Sequence, residues 1–328
     1  MKLAFFDAQS YDIPGFDRYS AGTEWKIKYF ETRLNEDTVS LCAGYDAVCV
    51  FVNDTVNSVV VSKLCELGVQ AIVLRCAGFN NVDLYACQGK IPVFRVPAYS
   101  PHAVAEHAMA LLLTSNRRTH KAYIRTREFN FRLQGLAGFD LYGKTVGVIG
   151  TGKIGQVFAQ ICMGFGMNVL AYDKYPNPNC GLNYVELPEL FEKSDIISLH
   201  CPLTPETKHL VSARSIYRMK EGVTIINTSR GALIDTEDLI RGLKDKHVGA
   251  ACLDVYEEEG DVFYEDFSGH ILRDDKLVRL ISMPNVILTS HQAFLTTEAL
   301  DNIAATTMEN LQKFFAGEPS PQTEVVCQ

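Results

Sequence analysis

Four side chains that could move a proton or bind an anion follow apolar runs that predict strands: Arg230 after 223–226, Asp254 and Glu259 after 250–253, and His291 after 286–288. A guanidinium matches a carboxylate with a fork of donors, and an imidazole exchanges protons near neutral pH. Because ligands bind at the carboxyl ends of strands in open α/β sheets, these side chains could meet in one cleft. The pattern predicts an anchor for a carboxylate substrate and a proton donor or acceptor.

Each of these residues also has a structural interpretation. An arginine at a strand end most often forms a surface ion pair. Glu259 closes an acidic run, 257–259, that is typical of a solvated loop. A histidine after a strand is more often structural than catalytic. The catalytic interpretation therefore depends on a second feature beside them.

That feature is the segment 145–173, which contains every part of a dinucleotide-binding unit in order. An apolar run leads into a glycine loop, and a helical pattern and a second apolar run ending at Asp173 follow. Gly150 permits a tight turn, Gly152 lets the backbone approach a pyrophosphate, and Gly155 lets the helix pack on the strand. Asp173 can bind the ribose hydroxyls and would repel a 2′-phosphate, which favours NAD over NADP. The alternative is a glycine turn in an ordinary βα unit.

The composition is that of an ordinary globular protein. Of 328 residues, 47% are hydrophobic and 21% are charged, and the net charge of −8 argues against nucleic acid or an anionic membrane as partner. The apolar start, residues 1–6, is too short for a signal peptide, and no apolar run predicts a spanning helix. The ten cysteines form no CxxC pair, so we expect reduced thiols in a cytoplasmic protein and no metal site.

Alternating strand and helix patterns predict an α/β fold of two lobes with parallel sheets. The segment 100–127 has few breakers and predicts one long helix that links the lobes. A last helix from about 296 to 315 could pack back onto the first lobe and make that lobe discontinuous. We expect a substrate-binding domain at 1–100 and 298–328 and an NAD-binding Rossmann domain at 101–297.

Several stretches besides GTGKIG match one family: FVND (51–54), LRCAGFNNVDL (74–84), VPAYSPHAVAEHA (96–108), NRRTHKAYIRTRE (116–128), SLHCPLTPET (198–207), INTSRGALID (226–235), LDVYEEE (253–259) and HQAFLTTEAL (291–300). On these residues the chain resembles the NAD-dependent D-2-hydroxyacid dehydrogenases over essentially its whole length. RCAGFNNVD and HQAFLT resemble the fermentative D-lactate dehydrogenase branch. The resemblance implies two flavodoxin/Rossmann-like lobes in a formate/glycerate dehydrogenase-like architecture with a discontinuous substrate domain.

The resemblance also implies roles for the residues singled out above. His291 is the acid/base, and Glu259 pairs with it and keeps the imidazole protonated near neutral pH. Arg230 binds the substrate carboxylate and helps to polarise the carbonyl at C2. Glu259 argues against the formate dehydrogenases of this fold, which resemble the chain but have glutamine at this position.

Further substrate contacts are implied in the first lobe. The backbone N–H groups of Ala77 and Gly78 complete the carboxylate site, and Tyr99 and Phe294 line the substrate cleft. Phe51 ends an apolar strand, so it could narrow the cleft to suit a methyl group or could be ordinary core.

On the cofactor side, the resemblance implies three groups of contacts. Lys153 and Ile154 present N–H groups to the pyrophosphate of NAD. The residues that border the adenosine and diphosphate region are Cys201, Pro202 and Thr207. Those near the nicotinamide are Thr228, Ser229 and Asp254.

The implied reaction is reduction of pyruvate to D-lactate by NADH, with a small 2-oxo acid as partner and a homodimer or homotetramer as assembly. Two alternatives stay open at this point. One is a dehydrogenase for a bulkier acid such as phenylpyruvate, 2-oxoisocaproate or hydroxypyruvate. The other is a non-enzymatic NAD-sensing regulator of the same fold, against which the lack of a basic DNA-binding face counts.

Overall fold

The computed structural model describes residues 1–326, apart from the side chain of Asp261. The chain forms two compact units, one of Met1–Ser100 with Phe294–Gln328 and one of Pro101–Ala293. The predicted domain end at residue 328 lies outside the described residues.

The strands, in chain order, are β1 Lys2–Phe5, β2 Lys26–Tyr29, β3 Ala47–Val50, β4 Ala71–Leu74, β5 Val93–Phe94, β6 Thr145–Ile149, β7 Asn168–Tyr172, β8 Asn183–Tyr184, β9 Ile196–Leu199, β10 Val223–Asn227, β11 Val248–Leu253 and β12 Val286–Leu288. The α-helices are α1 Ile13–Ser20, α2 Ser58–Glu66, α3 Leu84–Cys87, α4 Pro101–Arg117, α5 Thr119–Arg127, α6 Lys153–Gly164, α7 Leu187–Lys193, α8 Ala213–Ile216, α9 Thr236–Lys244, α10 Asp275–Ser282 and α11 Thr297–Phe315.

The first unit is built on a parallel five-stranded sheet in the order β2-β1-β3-β4-β5. This is the strand order of flavodoxin-like folds. Every residue of β3 and β4 is buried, which explains why both strands are unbroken apolar runs in the sequence. The last helix, α11, packs against α1 within this unit, so the C-terminal segment and the first hundred residues share one fold.

The second unit is built on a parallel seven-stranded sheet in the order β12-β11-β10-β9-β6-β7-β8. Its strand order reverses at β6, which is the arrangement of a Rossmann fold. The α/β class with two parallel sheets, flavodoxin-like and Rossmann-like, is thereby confirmed. Because β10, β11 and β12 are parallel neighbours, the residues that follow them lie along one edge of the sheet.

The prediction of a single helix over 100–127 is wrong. The structure has two helices, α4 and α5, separated by Arg118, whose backbone is left-handed with φ +50°. The Asn116 side chain donates to the carbonyl of Phe139 at 2.7 Å and accepts from its N–H at 2.9 Å. The Arg118 guanidinium donates to the carbonyl of Gly135. Contacts with a segment about twenty residues further along the chain thus end α4.

None of the helices formed by residues 1–326 has the length and apolar character needed to cross a membrane.

Candidate active site

The glycine loop after β6 lets a phosphate approach its backbone. Gly150 has a left-handed φ of +93°, and a Cβ at Gly155 would lie 1.9 Å from the carbonyl oxygen of Gly150, so only glycine lets α6 begin so close to the strand. Gly152 faces open space, since a Cβ there would meet no atom within 4 Å. The first-turn N–H groups of α6, those of Lys153 and Ile154 among them, have no intrahelical acceptor. These features fit the pyrophosphate of NAD.

Asp173 follows β7 and is fixed to the same loop. One carboxylate oxygen, Oδ2, accepts from the Thr151 N–H at 2.7 Å and from the Thr151 hydroxyl at 3.2 Å. The other, Oδ1, accepts from the Tyr175 N–H at 2.9 Å. The Tyr184 hydroxyl lies 2.8 Å from Thr151 Oγ1 and extends the network. Because Asp173 is only half-buried, its carboxylate can still accept from ribose hydroxyls.

Apart from Asp254, the remaining predicted cofactor residues follow the neighbouring strands β9 and β10. The Ser229 hydroxyl donates to the carbonyl of Cys201 at 2.7 Å, and the Thr207 hydroxyl donates to the carbonyl of Pro202 at 2.7 Å. Thr228 Oγ1 is buried and has no hydrogen-bond partner among residues 1–326. An unpartnered buried hydroxyl is unusual in a folded protein, and this one is available to a bound molecule. This edge of the sheet therefore fits NAD as well.

His291 and Glu259 form a close pair. The Nδ1 atom of His291 lies 2.7 Å from Glu259 Oε1, and the two side chains are 20% and 25% exposed. The second carboxylate oxygen, Oε2, accepts from the Tyr256 N–H at 2.9 Å. A carboxylate beside Nδ1 assigns a proton to that nitrogen and leaves Nε2 for proton exchange. This is the arrangement of an oriented acid/base.

The turn that carries His291 has an unusual backbone. His291 has a left-handed φ of +51°, a conformation that a non-glycine residue keeps only when its surroundings hold it. The Tyr264 hydroxyl donates to the carbonyl of His291 at 2.9 Å, and the two rings stack with centroids 6.4 Å apart. Tyr264 lies in an irregular loop, and no motif in the sequence pointed to it.

Asp254 lies below this turn and is fully buried. Burial alone would raise the pKa of its carboxyl, but hydrogen bonds from His107, Thr289, Ala293 and Gln292 outweigh that effect and hold the pKa below its ordinary value. All these partners belong to the protein itself. The role predicted for Asp254 beside the nicotinamide stays a prediction, and its contacts support the turn that carries His291.

Arg230 follows β10, next to the strand that precedes Glu259. Asn227 shapes its loop by donating to the carbonyl of Arg230 at 2.9 Å and accepting from the Ser229 N–H at 3.0 Å. The guanidinium of Arg230 donates to the carbonyl of Ser229 at 2.7 Å. It forms no ion pair within the part of the chain that the structure describes. A half-buried arginine without a carboxylate partner can bind an anionic ligand.

In the first unit, Ala77 and Gly78 follow β4. The Ala77 carbonyl accepts from Arg95 at 2.9 Å, and the Gly78 carbonyl accepts from the Cys76 thiol at 3.2 Å. Neither N–H group of Ala77 and Gly78 donates to another residue in the range 1–326. Their donors are therefore available to a ligand, as an anion-binding backbone requires.

Phe51, Tyr99 and Phe294 form one aromatic cluster in the first unit. The ring centroid of Phe294 lies 6.1 Å from that of Phe51 and 6.3 Å from that of Tyr99. Phe51 and Phe294 are buried, and Tyr99 is half-buried. Phe51 also contacts the buried Arg75, whose guanidinium lies 4.6 Å from the ring centroid. One face of the Phe51 ring is thus packed in the core of the first unit, and the role of Phe51 beside a substrate stays a prediction.

Comparison with known proteins identifies the family. Residues 109–293 match the NAD-binding domain of the D-isomer specific 2-hydroxyacid dehydrogenases. D-lactate dehydrogenase of Escherichia coli strain K12 is 50% identical over 325 residues, which cover 98% of this chain and 99% of that protein.

Solved structures give the same result. The apo structure of the E. coli D-lactate dehydrogenase has a TM-score of 0.91 and 48% identity, covering 99% of this chain and 100% of that one. The structure described as the pyruvate reductase of Chlamydomonas reinhardtii has a TM-score of 0.93 and 42% identity, covering 97% of both chains. The chain belongs to the family of D-isomer specific 2-hydroxyacid dehydrogenases, which bind NAD.

Proposed function

We propose that this protein is an NAD-dependent D-lactate dehydrogenase that reduces pyruvate to D-lactate. The observation that carries the proposal is the 2.7 Å contact between His291 Nδ1 and Glu259 Oε1, at the sheet edge that also presents Arg230, which has no carboxylate partner among the described residues. An oriented imidazole and a guanidinium without a carboxylate partner are what reduction of a 2-oxo acid requires of the protein. Family membership supplies the class of reaction.

Binding of the substrate begins with its carboxylate. Arg230 provides parallel N–H donors, which suit the two oxygens of a carboxylate better than a point charge does. We propose that the N–H groups of Ala77 and Gly78 are the donors that the first unit offers to a carboxylate. Orientation of the carboxylate fixes which face of the adjacent carbonyl is presented, and a fixed orientation makes the product a single enantiomer.

Proton transfer is the task of His291. When bound, NADH would supply the hydride for the substrate carbonyl carbon, and negative charge would then develop on the carbonyl oxygen. His291 delivers a proton to that oxygen from Nε2, and Glu259 stabilises the imidazolium that exists before the transfer. In the oxidative direction neutral His291 accepts the hydroxyl proton, and the same carboxylate favours that step.

The aromatic cluster supports a small substrate side chain. Phe51, Tyr99 and Phe294 fill the space around one another, so we infer that the first unit presents a tight, apolar wall that suits the methyl group of pyruvate. A close-packed wall disfavours longer side chains, because enlarging it would disturb neighbouring side chains.

We also infer a homo-oligomer, a homodimer or homotetramer, formed through the second unit. After α5 the chain exposes large apolar side chains: Phe129 is 84% exposed, Phe131 71%, Leu133 81% and Tyr142 80%. Exposed apolar side chains of this size and number are a feature of association surfaces. Light scattering with size-exclusion chromatography tests the assembly.

For the compartment we propose the cytoplasm. The cysteines of the described residues are thiols and not disulfides, and cysteines in this number without disulfides suit a reducing compartment.

The test of the reaction is loss of NADH absorbance with purified protein and separate 2-oxo acids: pyruvate, 2-oxobutyrate, 2-oxoisocaproate, phenylpyruvate and hydroxypyruvate. We expect fastest turnover with pyruvate, D-lactate as the product in a chiral assay, and little activity with NADPH. A maximum at a larger acid would contradict the substrate assignment, and NADH binding without turnover of any of these acids would contradict the reaction.

A further inference from the structure

His107 lies in the middle of α4, a helix that packs against β11 and β12. Its Nε2 atom lies 3.1 Å from Thr289 Oγ1 and 3.3 Å from Asp254 Oδ1. The imidazole is 18% exposed and the carboxylate of Asp254 is fully buried. A titratable ring thus contacts the buried acid under the catalytic turn, although the reaction proposed above uses neither group to transfer a proton.

The direction of the hydrogen bonds follows from the number of protons. The Thr289 hydroxyl donates its single proton to Asp254 Oδ1 at 2.5 Å, so Thr289 Oγ1 must accept from His107. The Asp254 carboxyl is ionised and accepts as well. His107 therefore donates from Nε2, which it can do both as a neutral ring and as a cation.

Asp254 in turn holds the backbone of the catalytic turn. Its Oδ1 accepts from the Gln292 N–H at 2.9 Å and its Oδ2 from the Ala293 N–H at 2.8 Å. Its carbonyl accepts from the His291 N–H at 2.7 Å. The three consecutive N–H groups that begin at His291 are thus bound by one buried residue, which maintains the left-handed backbone of His291.

We propose that His107 is a positioning residue for the acid/base: through Thr289 and Asp254 it fixes the turn that places His291 against Glu259. The inference rests on the proposed reduction of a 2-oxo acid. His107 differs from the groups proposed to bind or protonate the substrate, because it touches none of the reacting atoms. Small displacements of a reacting group have large effects on rate, about 100-fold for a misplacement of about 1 Å.

The experiment compares two substitutions of the same side chain. His107→Leu fills the space without a donor, whereas His107→Gln places an amide N–H near the position of Nε2. We expect His107→Leu to lower kcat for pyruvate on the order of 10- to 100-fold, with little change in the dissociation constant of NADH. His107→Gln should recover most of the rate. The control is His102→Leu, because His102 is an exposed histidine on the same helix.

A second pair of measurements separates positioning from loss of folding. Thr289→Val removes the hydroxyl that links His107 to Asp254 while preserving the shape of the side chain, and it should lower kcat in the same way. Thermal unfolding and NADH fluorescence titration of each variant establish that the second unit is folded. A loss of kcat that the glutamine variant reverses, in protein that binds NADH normally, supports positioning.

One readout does not depend on turnover. The proton between His291 Nδ1 and Glu259 should give a downfield proton resonance, which is assigned by its absence in His291→Gln. This resonance should weaken or shift in His107→Leu and persist in His107→Gln. An inactive parent protein would contradict the proposed function and leave this readout to decide the positioning role. An active parent with an unchanged kcat and resonance in His107→Leu would overturn the inference, as would a glutamine variant no better than the leucine variant.

Discussion

The second unit contains two histidine–glutamate pairs that look alike locally. His291 contacts Glu259 at 2.7 Å, and His209 contacts Glu257 at 2.6 Å. The two glutamates are two residues apart on one loop. Both histidines have a left-handed backbone, with φ of +51° and +53°.

The pairs differ in what surrounds the second ring nitrogen. His209 has Glu257 at Nε2 and Asp235 3.6 Å from Nδ1, so acids lie beside both nitrogens. His291 has an acid at Nδ1 only, among the residues that the structure describes. Glu257 is also engaged elsewhere, since its Oε2 accepts from the Thr236 hydroxyl at 3.0 Å. A histidine enclosed by acids has no ring nitrogen left for a ligand and serves to link loops. A histidine with one open nitrogen can exchange a proton with a ligand.

The largest expected effect comes from removing the open histidine. His291→Gln should lower kcat for pyruvate reduction by about 10²- to 10⁴-fold, the usual contribution of general acid–base catalysis. NADH binding, measured by fluorescence titration, should be retained because the glycine loop is unchanged. The matched variant is His209→Gln, for which kcat should stay close to that of the parent protein. Equal losses in the two variants would remove the distinction between the pairs.

A second expected effect concerns two arginines that differ in whether a carboxylate of the protein lies beside the guanidinium. Arg75 is buried in the first unit, donates to the carbonyls of Phe6 and Asp7, and lies 3.4 Å from Asp12. Arg230 has no carboxylate partner in the described part of the chain. Arg230→Lys should raise KM for pyruvate about tenfold or more, since a hydrogen bond to a charged group contributes about 1.5–3 kcal/mol.

Steady-state kinetics with varied pyruvate check this expectation. Arg241→Lys serves as the control, because Arg241 is exposed and pairs with Asp238 on the surface of α9. An unchanged KM in Arg230→Lys would contradict a bidentate contact with the substrate carboxylate.

A third expected effect concerns the acids of the two pairs. The Glu259 carboxylate lies 2.7 Å from His291 Nδ1 and so leaves Nε2 of the ring for proton exchange. Glu259→Gln removes the negative charge beside the ring and should lower kcat for pyruvate about 10- to 100-fold, because the contact that orients the ring is weakened. Glu257→Gln is the matched variant and should change kcat little. Steady-state kinetics of both variants check this, and equal losses would mean that the loop, and not the single contact, sets the position of His291.

Much of the fold could be predicted from the sequence, because parallel strands buried on both faces are unbroken apolar runs. The break between α4 and α5 could not be. It depends on Arg118 adopting a left-handed backbone, which contacts with the chain near Gly135 and Phe139 hold in place. Local propensity carries no information about a partner twenty residues away.

For the site, the strand ends indicated Arg230, Glu259 and His291, and their functional roles stay predictions. The sequence could not indicate which of the consecutive acids 257–259 faces which histidine, because adjacent glutamates are equivalent until the loop has a conformation. The sequence gives no signal for His107 for a related reason. A single histidine on an apolar helix is ordinary in a sequence, and its contact with Asp254 exists only after α4 packs on β11.

The smallest expected effect concerns the enclosed pair. His209 and Glu257 have side chains 34% and 22% exposed, so the free energy that their contact contributes to stability should be about 1 kcal/mol or less. Glu257→Gln should lower Tm by only about 2–4 °C, measured by differential scanning fluorimetry. Turnover should change little, because the glutamine can still accept from Thr236. If KM for pyruvate rises while kcat is kept, the pair holds the Arg230 loop in place, since Thr236 follows that loop on α9. If kcat falls as far as in His291→Gln, the enclosed pair belongs to the catalytic machinery and the comparison fails.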